Sequence, residues 1–239
     1  MTPRLIDNYC VILLDVSNTF MFETNRFEDP AGIARTYAAQ GGVLLNAEQV
    51  AGAIAALFTA GLGYARNPDF YDRFPPILDM LRDLPETAAL PEDELHRLVR
   101  VFALHERGFV PPEYAATLRQ LGETYRLGVV SNIWAPSNVF FEAFEQAGIT
   151  DLFDVVVFSS DVGAIKPSPV LFDKALGTFD VPRDRIVHVG DSFKRDVAGA
   201  RAVGIDTVWI SSDTEIPEGY GCRPNLIVKD LAELVQDVS

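Results

Sequence analysis

Residues Arg185–Gly204, RIVHVGDSFKRDVAGARAVG, decide the fold class. The stretch opens on a continuous apolar run, Arg185–Asp191, that ends in Gly190-Asp191-Ser192. It then takes up helical spacing over Arg195–Val203, with Val197, Ala200 and Val203 on one side, and stops at Gly204. A strand that is apolar throughout, rather than at alternate positions, suits a sheet covered on both faces. The unit recurs along the chain. Tyr9–Asp15, Leu127–Ser131, Asp154–Ser160 and Thr207–Ser211 are runs of the same kind, and Leu226–Val228 is a weaker one. Pro136–Gly148, with Ser137 placed to cap it, and Ser168–Leu176 read as helices between them. Alternating strands and helices predict an α/β fold, a doubly wound parallel sheet of Rossmann-like type.

The alternation breaks between about Phe22 and Pro112. Helical periodicity takes over at Ala47–Ala60, Phe74–Leu84 and Glu92–Glu106. The expected organisation is an α/β core of residues 1–21 and 113–239 carrying an all-helical cap of residues 22–112, with Gly108–Pro112 as the return hinge. Within the cap, Phe70–Phe74 reads as cap core. Asn25, Arg26, Arg66 and Arg73 are cap residues able to face a ligand, but arginines on helices are usually solvated and none is assigned a role.

The chain of 239 residues is 48% hydrophobic, ample for a core, and carries a net charge of −14. That charge disfavours nucleic acid as a partner. No apolar run is long enough to span a bilayer, and no secretion signal opens the chain, so a cytoplasmic protein without a membrane partner is expected. Cys10 and Cys222 have no metal-binding spacing, and a disulfide is not expected.

Ligands of open α/β sheets bind at the carboxyl ends of the strands. There the sequence delivers Asp15-Val16-Ser17-Asn18-Thr19, then Ser131-Asn132, then Lys166-Pro167 in the loop beyond the third strand, and finally Gly190-Asp191-Ser192 with Asp196 following. Carboxylates, a hydroxyl and one ammonium suit attack on a phosphate ester: Asp15 as nucleophile, Asp15 and Asp191 holding magnesium, Lys166 balancing charge, and Ser131 with backbone amides on the phosphoryl oxygens. His188, inside an apolar strand, reads as a satisfied core histidine. His96 and His105 read as surface residues. Asn18 fits a tight turn.

Four ordered stretches, LLDVSNT, VVSN, IKPSPVLF and HVGDSFKRDVAGARAVG, resemble the motifs of the haloacid dehalogenase superfamily, over Tyr9 to the C-terminus. The resemblance implies Asp15 as nucleophile and Lys166 as its orienting partner. It implies Mg2+ held by the Asp15 side chain, the Ser17 backbone carbonyl and the Asp191 side chain, with Asp196 acting nearby. Ser131 and Asn132 would contact a small phosphorylated substrate, and Thr19 would order the nucleophile loop. One position departs from the pattern. Phosphatases of the superfamily carry a second aspartate two residues after the nucleophile, as general acid and then base, where this chain has Ser17. Losing such a group costs ~10²–10⁴-fold in rate. A slow phosphatase, or one whose substrate has a good leaving group or supplies its own acid, a 2-haloacid dehalogenase-like hydrolase and a weakly active phosphate-binding or regulatory relative are the readings left open. A phosphonate hydrolase that uses a cap lysine is not, because Phe22–Pro112 contains no lysine.

Overall fold

The computed structural model describes residues 5–22 and 27–235; Asn25 and Arg26 lie outside them. Six strands form one parallel sheet: β1 Val11–Leu14, β2 Arg126–Ser131, β3 Phe153–Phe158, β4 Ile186–Gly190, β5 Asp206–Ile210 and β6 Leu226–Val228. Their spatial order is β3-β2-β1-β4-β5-β6. All six apolar runs are strands, and the doubly wound fold is as expected.

The reason for the continuous runs is visible in β1. Ile12 and Leu14 face the larger buried cluster, and Val11 and Leu13 face the other. The first face is covered by helices α5 (Pro112–Gly122) and α6 (Asn138–Ala147), through Leu118, Leu121, Phe140 and Phe144. The second is covered by α8 (Pro169–Leu176), through Leu171, Phe172 and Ala175, and by the one-turn α9 (Gly199–Ala202). A further single turn, α7 (Ser159–Val162), follows β3.

Because β1 pairs with β2 on one side and β4 on the other, the winding reverses at β1. A crevice opens at such a reversal, beyond the carboxyl ends of the strands. Asp15 stands at its centre.

Among the described residues, four α-helices lie between β1 and α5: α1 Pro30–Ala39, α2 Ala47–Arg66, α3 Ile77–Asp83 and α4 Glu92–Glu106. The two ends of this helical stretch meet where Phe22 and Phe109 exchange both backbone hydrogen bonds, at 2.9 and 2.8 Å. α2 starts at a capping box between Asn46 and Gln49. It buries Val50, Ala53, Ile54, Leu57 and Gly61 on one stripe and runs six residues past the expected end at Ala60. Gly61 belongs inside the helix because an added Cβ would sit 2.5 Å from Cζ3 of Trp134, whose ring packs there. α1 and α5 were not expected, although each has proline in its first turn, a common helix opening.

Other local readings change. Ser137 occupies the position before α6, but its side chain makes no capping bond. Of Phe70–Phe74, Phe74 is buried and its neighbours are not. The stretch docks on the loop that carries Lys166: Phe74 N donates to Gly163 O at 2.7 Å, and Tyr71 O accepts from Ile165 N at 2.8 Å. His105 is half-buried and bonded to Thr36 Oγ1 at 2.9 Å, unlike the exposed His96. Among the described residues, no helix is long and apolar enough to cross a membrane.

Candidate active site

Asp15 is the first residue past β1, and its backbone N–H donates to Val189 O on β4 at 2.9 Å. The carboxylate is buried, with 6% of the residue exposed. Its Oδ1 accepts two hydrogen bonds, from Ser131 Oγ at 2.8 Å and from Lys166 Nζ at 2.5 Å. Oδ2 is left to the cavity. Lys166 Nζ also donates to Asp196 Oδ1 at 2.6 Å and to Val130 O at 2.8 Å, so all three of its protons are used. Burial by itself would lower the Lys166 pKa, but the two carboxylates reverse that and raise it.

Asn132 holds this lysine in place. Its Oδ1 accepts from Lys166 N at 2.7 Å, and its Nδ2 donates to Lys166 O at 3.2 Å. The side-chain amide thus grips the Lys166 backbone, where the sequence suggests a substrate contact. Ser131 lines the cavity as expected, with its hydroxyl turned to Asp15. Thr19 is buried in the loop after β1; among the described residues its hydroxyl has no partner, so any ordering runs through its backbone N–H to Val16 O at 3.2 Å. Asn18 sits in the left-handed region, at φ 56°, and its Nδ2 donates to Asp191 Oδ2 at 3.1 Å. This ties the loop after β1 to the loop after β4.

Asp196 lines the cavity, but both of its carboxylate oxygens are committed to protein groups. Oδ1 meets Lys166 Nζ and His188 Nε2 (2.9 Å), and Oδ2 accepts from Ser192 N at 2.9 Å. It therefore both anchors the lysine and closes the first turn after β4. That turn, Phe193–Ala198, is wound as a π-helix rather than the α-helix its spacing predicts. Asp196 N and Val197 N both reach Ser192 O, at 2.8 and 3.4 Å, so the wider winding coincides with the Asp196 contacts. Burial pushes the Asp196 carboxyl up, but Lys166 and His188 outweigh it and hold the pKa well below the usual range. His188 is buried as expected, yet only half satisfied: among the described residues Nδ1 has no partner, and burial lowers its pKa against the pull of Asp196.

Gly190 makes the Asp196 approach possible. A Cβ there would lie 2.4 Å from Asp196 Cγ and 2.6 Å from Oδ2. A carboxylate fixed at both oxygens cannot step aside. Gly190→Ala is expected to cost ~1–3 kcal/mol as overpacking and to loosen Lys166. A thermal melt compared with wild type checks this, and an unchanged midpoint would contradict it.

Asp15, Asp191 and Asp196 place carboxylate oxygens within 4.8 Å of one another. Set against the one ammonium of Lys166, these three carboxylates leave two formal negative charges. The Asp191 carboxyl registers the surplus. Burial first, then the charges of Asp15 and Asp196, push its pKa up to about 6. Hard oxygen donors with an excess of two negative charges fit a divalent cation such as magnesium. Since Asp196 is committed to protein groups, the donors left are Asp15, Asp191 and the backbone of Ser17, which lines the same cavity.

The cavity holds about 330 Å³, the size of a small molecule. Its lining is largely polar and includes Asp15, Ser17, Ser131, Asn132, Lys166, Asp191 and Arg195. Phe58 and Leu62 of α2 and Trp134, which follows β2, form an apolar wall. The wall residues and Glu106 carry no assignment at the sequence level. Their spacing on α2 was visible, but their direction was not. Glu106, at the end of α4, accepts the backbone N–H groups of Trp134 (3.0 Å) and Ala135 (2.7 Å), fixing the loop after β2. Arg66 and Arg73 are exposed and do not line this cavity.

The model of the haloacid dehalogenase-like hydrolases matches residues 11–204, from β1 to the end of the helix after β4. The chain belongs to that family. This hydrolase is 31% identical over 157 residues to the phosphoserine phosphatase of Thermus thermophilus, covering 65% of the chain and 62% of the relative. It is 32% identical over 127 residues to a pyrimidine 5'-nucleotidase of Escherichia coli, covering 52% of the chain and 55% of the relative. The match thus spans less than two thirds of either relative's length. A glyceraldehyde 3-phosphate phosphatase of Methanopyrus kandleri is 29% identical over 184 residues, 71% of the chain and 77% of the relative. Among solved structures, a 2-haloacid dehalogenase of Pseudomonas syringae superposes with a TM-score of 0.65 at 23% identity, covering 95% of this hydrolase and 96% of that chain. A phosphatase of Thermococcus onnurineus gives 0.61 at 24% identity, with 95% of each chain covered. At those identities the likeness is one of fold.

Proposed function

We propose that this hydrolase is a magnesium-dependent phosphatase of small phosphorylated metabolites, working through a phosphorylated Asp15. The observation that carries the reading is the state of Asp15: buried, held at one oxygen by Lys166 and Ser131, and open at the other beside the carboxylate of Asp191. Phosphatase names among the relatives support the reaction class.

The substrate phosphate enters between the loops after β1, β2 and β4. Asp15, Asp191 and the Ser17 carbonyl would hold magnesium, which would supply the positive charge that lets an anion approach an anion. Asp15 Oδ2 attacks phosphorus, the ester oxygen departs with the bonding electrons, and Lys166 fixes the attacking carboxylate throughout. Ser131 and the backbone N–H groups of the surrounding loops orient the phosphoryl oxygens. Water then attacks phosphorus, freeing Asp15 and inorganic phosphate. The helices of residues 22–112 act as a cap that shields the site and selects the leaving group. We place the reaction in the cytoplasm, with no nucleic-acid or membrane partner.

Ser17 makes both steps slow for ordinary esters, since its hydroxyl neither protonates a leaving alkoxide nor activates water. Ser17→Asp is therefore expected to raise steady-state phosphatase turnover by ~10-fold or more, measured as phosphate release. No gain in a variant that still binds magnesium would contradict the account. Hydrolysis of an aryl phosphate in magnesium, lost on chelation and restored by adding the metal back, tests the reading as a whole. Metal-independent halide release from a 2-haloacid, with no phosphate release, would replace it by the dehalogenase reading.

A further inference from the structure

Part of the lining of the cavity that holds Asp15 is apolar. Phe58 and Leu62 lie one helical turn apart on α2, and the Phe58 and Trp134 rings stand 5.8 Å apart. The wall is braced from behind: Trp134 lies 5.7 Å from Phe74 and 6.5 Å, near parallel, from Phe102. Gly61 leaves the gap in α2 that the indole fills. The wall is therefore built on rigid contacts, and Phe58, Leu62 and Trp134 offer an apolar surface on which an apolar leaving group can pack, while polar side chains such as Asn132 and Arg195 line other parts of the same cavity.

A second observation concerns proton supply. Among the described residues, the carboxyl groups lining the cavity are Asp15, Asp191, Asp196 and Glu106. Asp196 is bound to Lys166, His188 and Ser192. Glu106 has both oxygens on backbone N–H groups. Asp15 and Asp191 serve as nucleophile and metal ligand. None is placed to hand a proton to a departing oxygen.

We propose that the hydrolase takes phosphomonoesters of acidic hydroxyl groups on flat apolar skeletons, that is aryl or enol phosphates, seated against Phe58, Leu62 and Trp134. This deepens the phosphatase reading and rests on it. In the first step the Asp15–phosphorus bond forms, the phosphorus–oxygen ester bond breaks, and the leaving group departs as a phenolate or enolate holding the electron pair. In the second, water forms the new bond to phosphorus and the Asp15–phosphorus bond breaks. The proton released goes through solvent to the phenolate or enolate, giving the neutral hydroxyl compound and inorganic phosphate. A stable anion needs no acid at position 17, whereas an alkoxide does.

The test is kcat/KM, which reports the phosphorylation step, with phenyl phosphates of graded leaving-group acidity, an enol phosphate and simple alkyl phosphates, all with magnesium present. Wild type is expected to show a steep fall with decreasing acidity, the alkyl esters being slower than the most activated aryl ester by ~10²–10⁴-fold. Ser17→Asp is expected to flatten the series. Leu62→Asn is expected to reduce the preference for the aryl and enol esters over the alkyl ones by about 10-fold, as expected when a flat substrate loses apolar contact. Aryl and alkyl esters turned over within about 10-fold of each other by wild type would overturn this proposal and leave the phosphatase reading standing. No turnover of any ester would overturn both.

Discussion

Replacing Asp15 by Asn is expected to lower turnover by on the order of 10⁴-fold or more, the scale seen when a covalent nucleophile is removed. The amide keeps the volume and can still accept at its oxygen, so the fold should persist. What is lost is the anion that forms the bond to phosphorus. The loss should fall on kcat/KM for every ester alike, because no leaving group can restore the missing nucleophile. Phosphate release at substrate excess, together with a circular dichroism spectrum matching wild type, separates loss of chemistry from loss of folding. A variant retaining a tenth of wild-type turnover would move the nucleophile elsewhere.

Lys166→Met is expected to destabilise the protein by ~3–5 kcal/mol, the cost of removing one partner from a buried ion network. Lys166 is 2% exposed and is bonded to both Asp15 and Asp196. Methionine fills much of the same space, so packing changes little and the electrostatic term dominates. Asp196 and Asp15 would face each other with no cation between them, and His188 would keep a carboxylate partner that has lost its countercharge. Urea unfolding at neutral pH measures the change. A loss below about 1 kcal/mol, the range of surface pairs, would show that solvent or a bound cation already screens the cluster. Magnesium is expected to recover part of the stability if it binds folded protein in preference to unfolded.

The sheet was legible because each strand is apolar on both faces, as β1 shows with Ile12 and Leu14 turned one way and Val11 and Leu13 the other. The polar lining of the site was legible for a related reason. Doubly wound sheets deliver strand ends to one crevice, so the sequence alone brings Asp15, Ser131, Lys166 and Asp191 to one site. Side-chain direction was not legible. Asn132 grips the Lys166 backbone, and Asp196 is bonded to a lysine and a histidine, although periodicity allows either residue to face a ligand. The π-winding after β4 was hidden for the same reason, since it accompanies contacts between residues distant in sequence. The aromatic wall was hidden because three residues from two elements, Phe58, Leu62 and Trp134, meet only through the packing of α2 at Gly61.

The central claim is that the carboxylates of Asp15 and Asp191 share a divalent cation while Lys166 steadies the nucleophile. A crystal structure with magnesium and fluoroberyllate tests it most directly. The account predicts beryllium bonded to an Asp15 carboxylate oxygen, magnesium bound by Asp15, Asp191 and the Ser17 carbonyl, and Lys166 still paired with Asp15. Fluoroberyllate bound away from Asp15, or magnesium bound without Asp15 and Asp191, would contradict it.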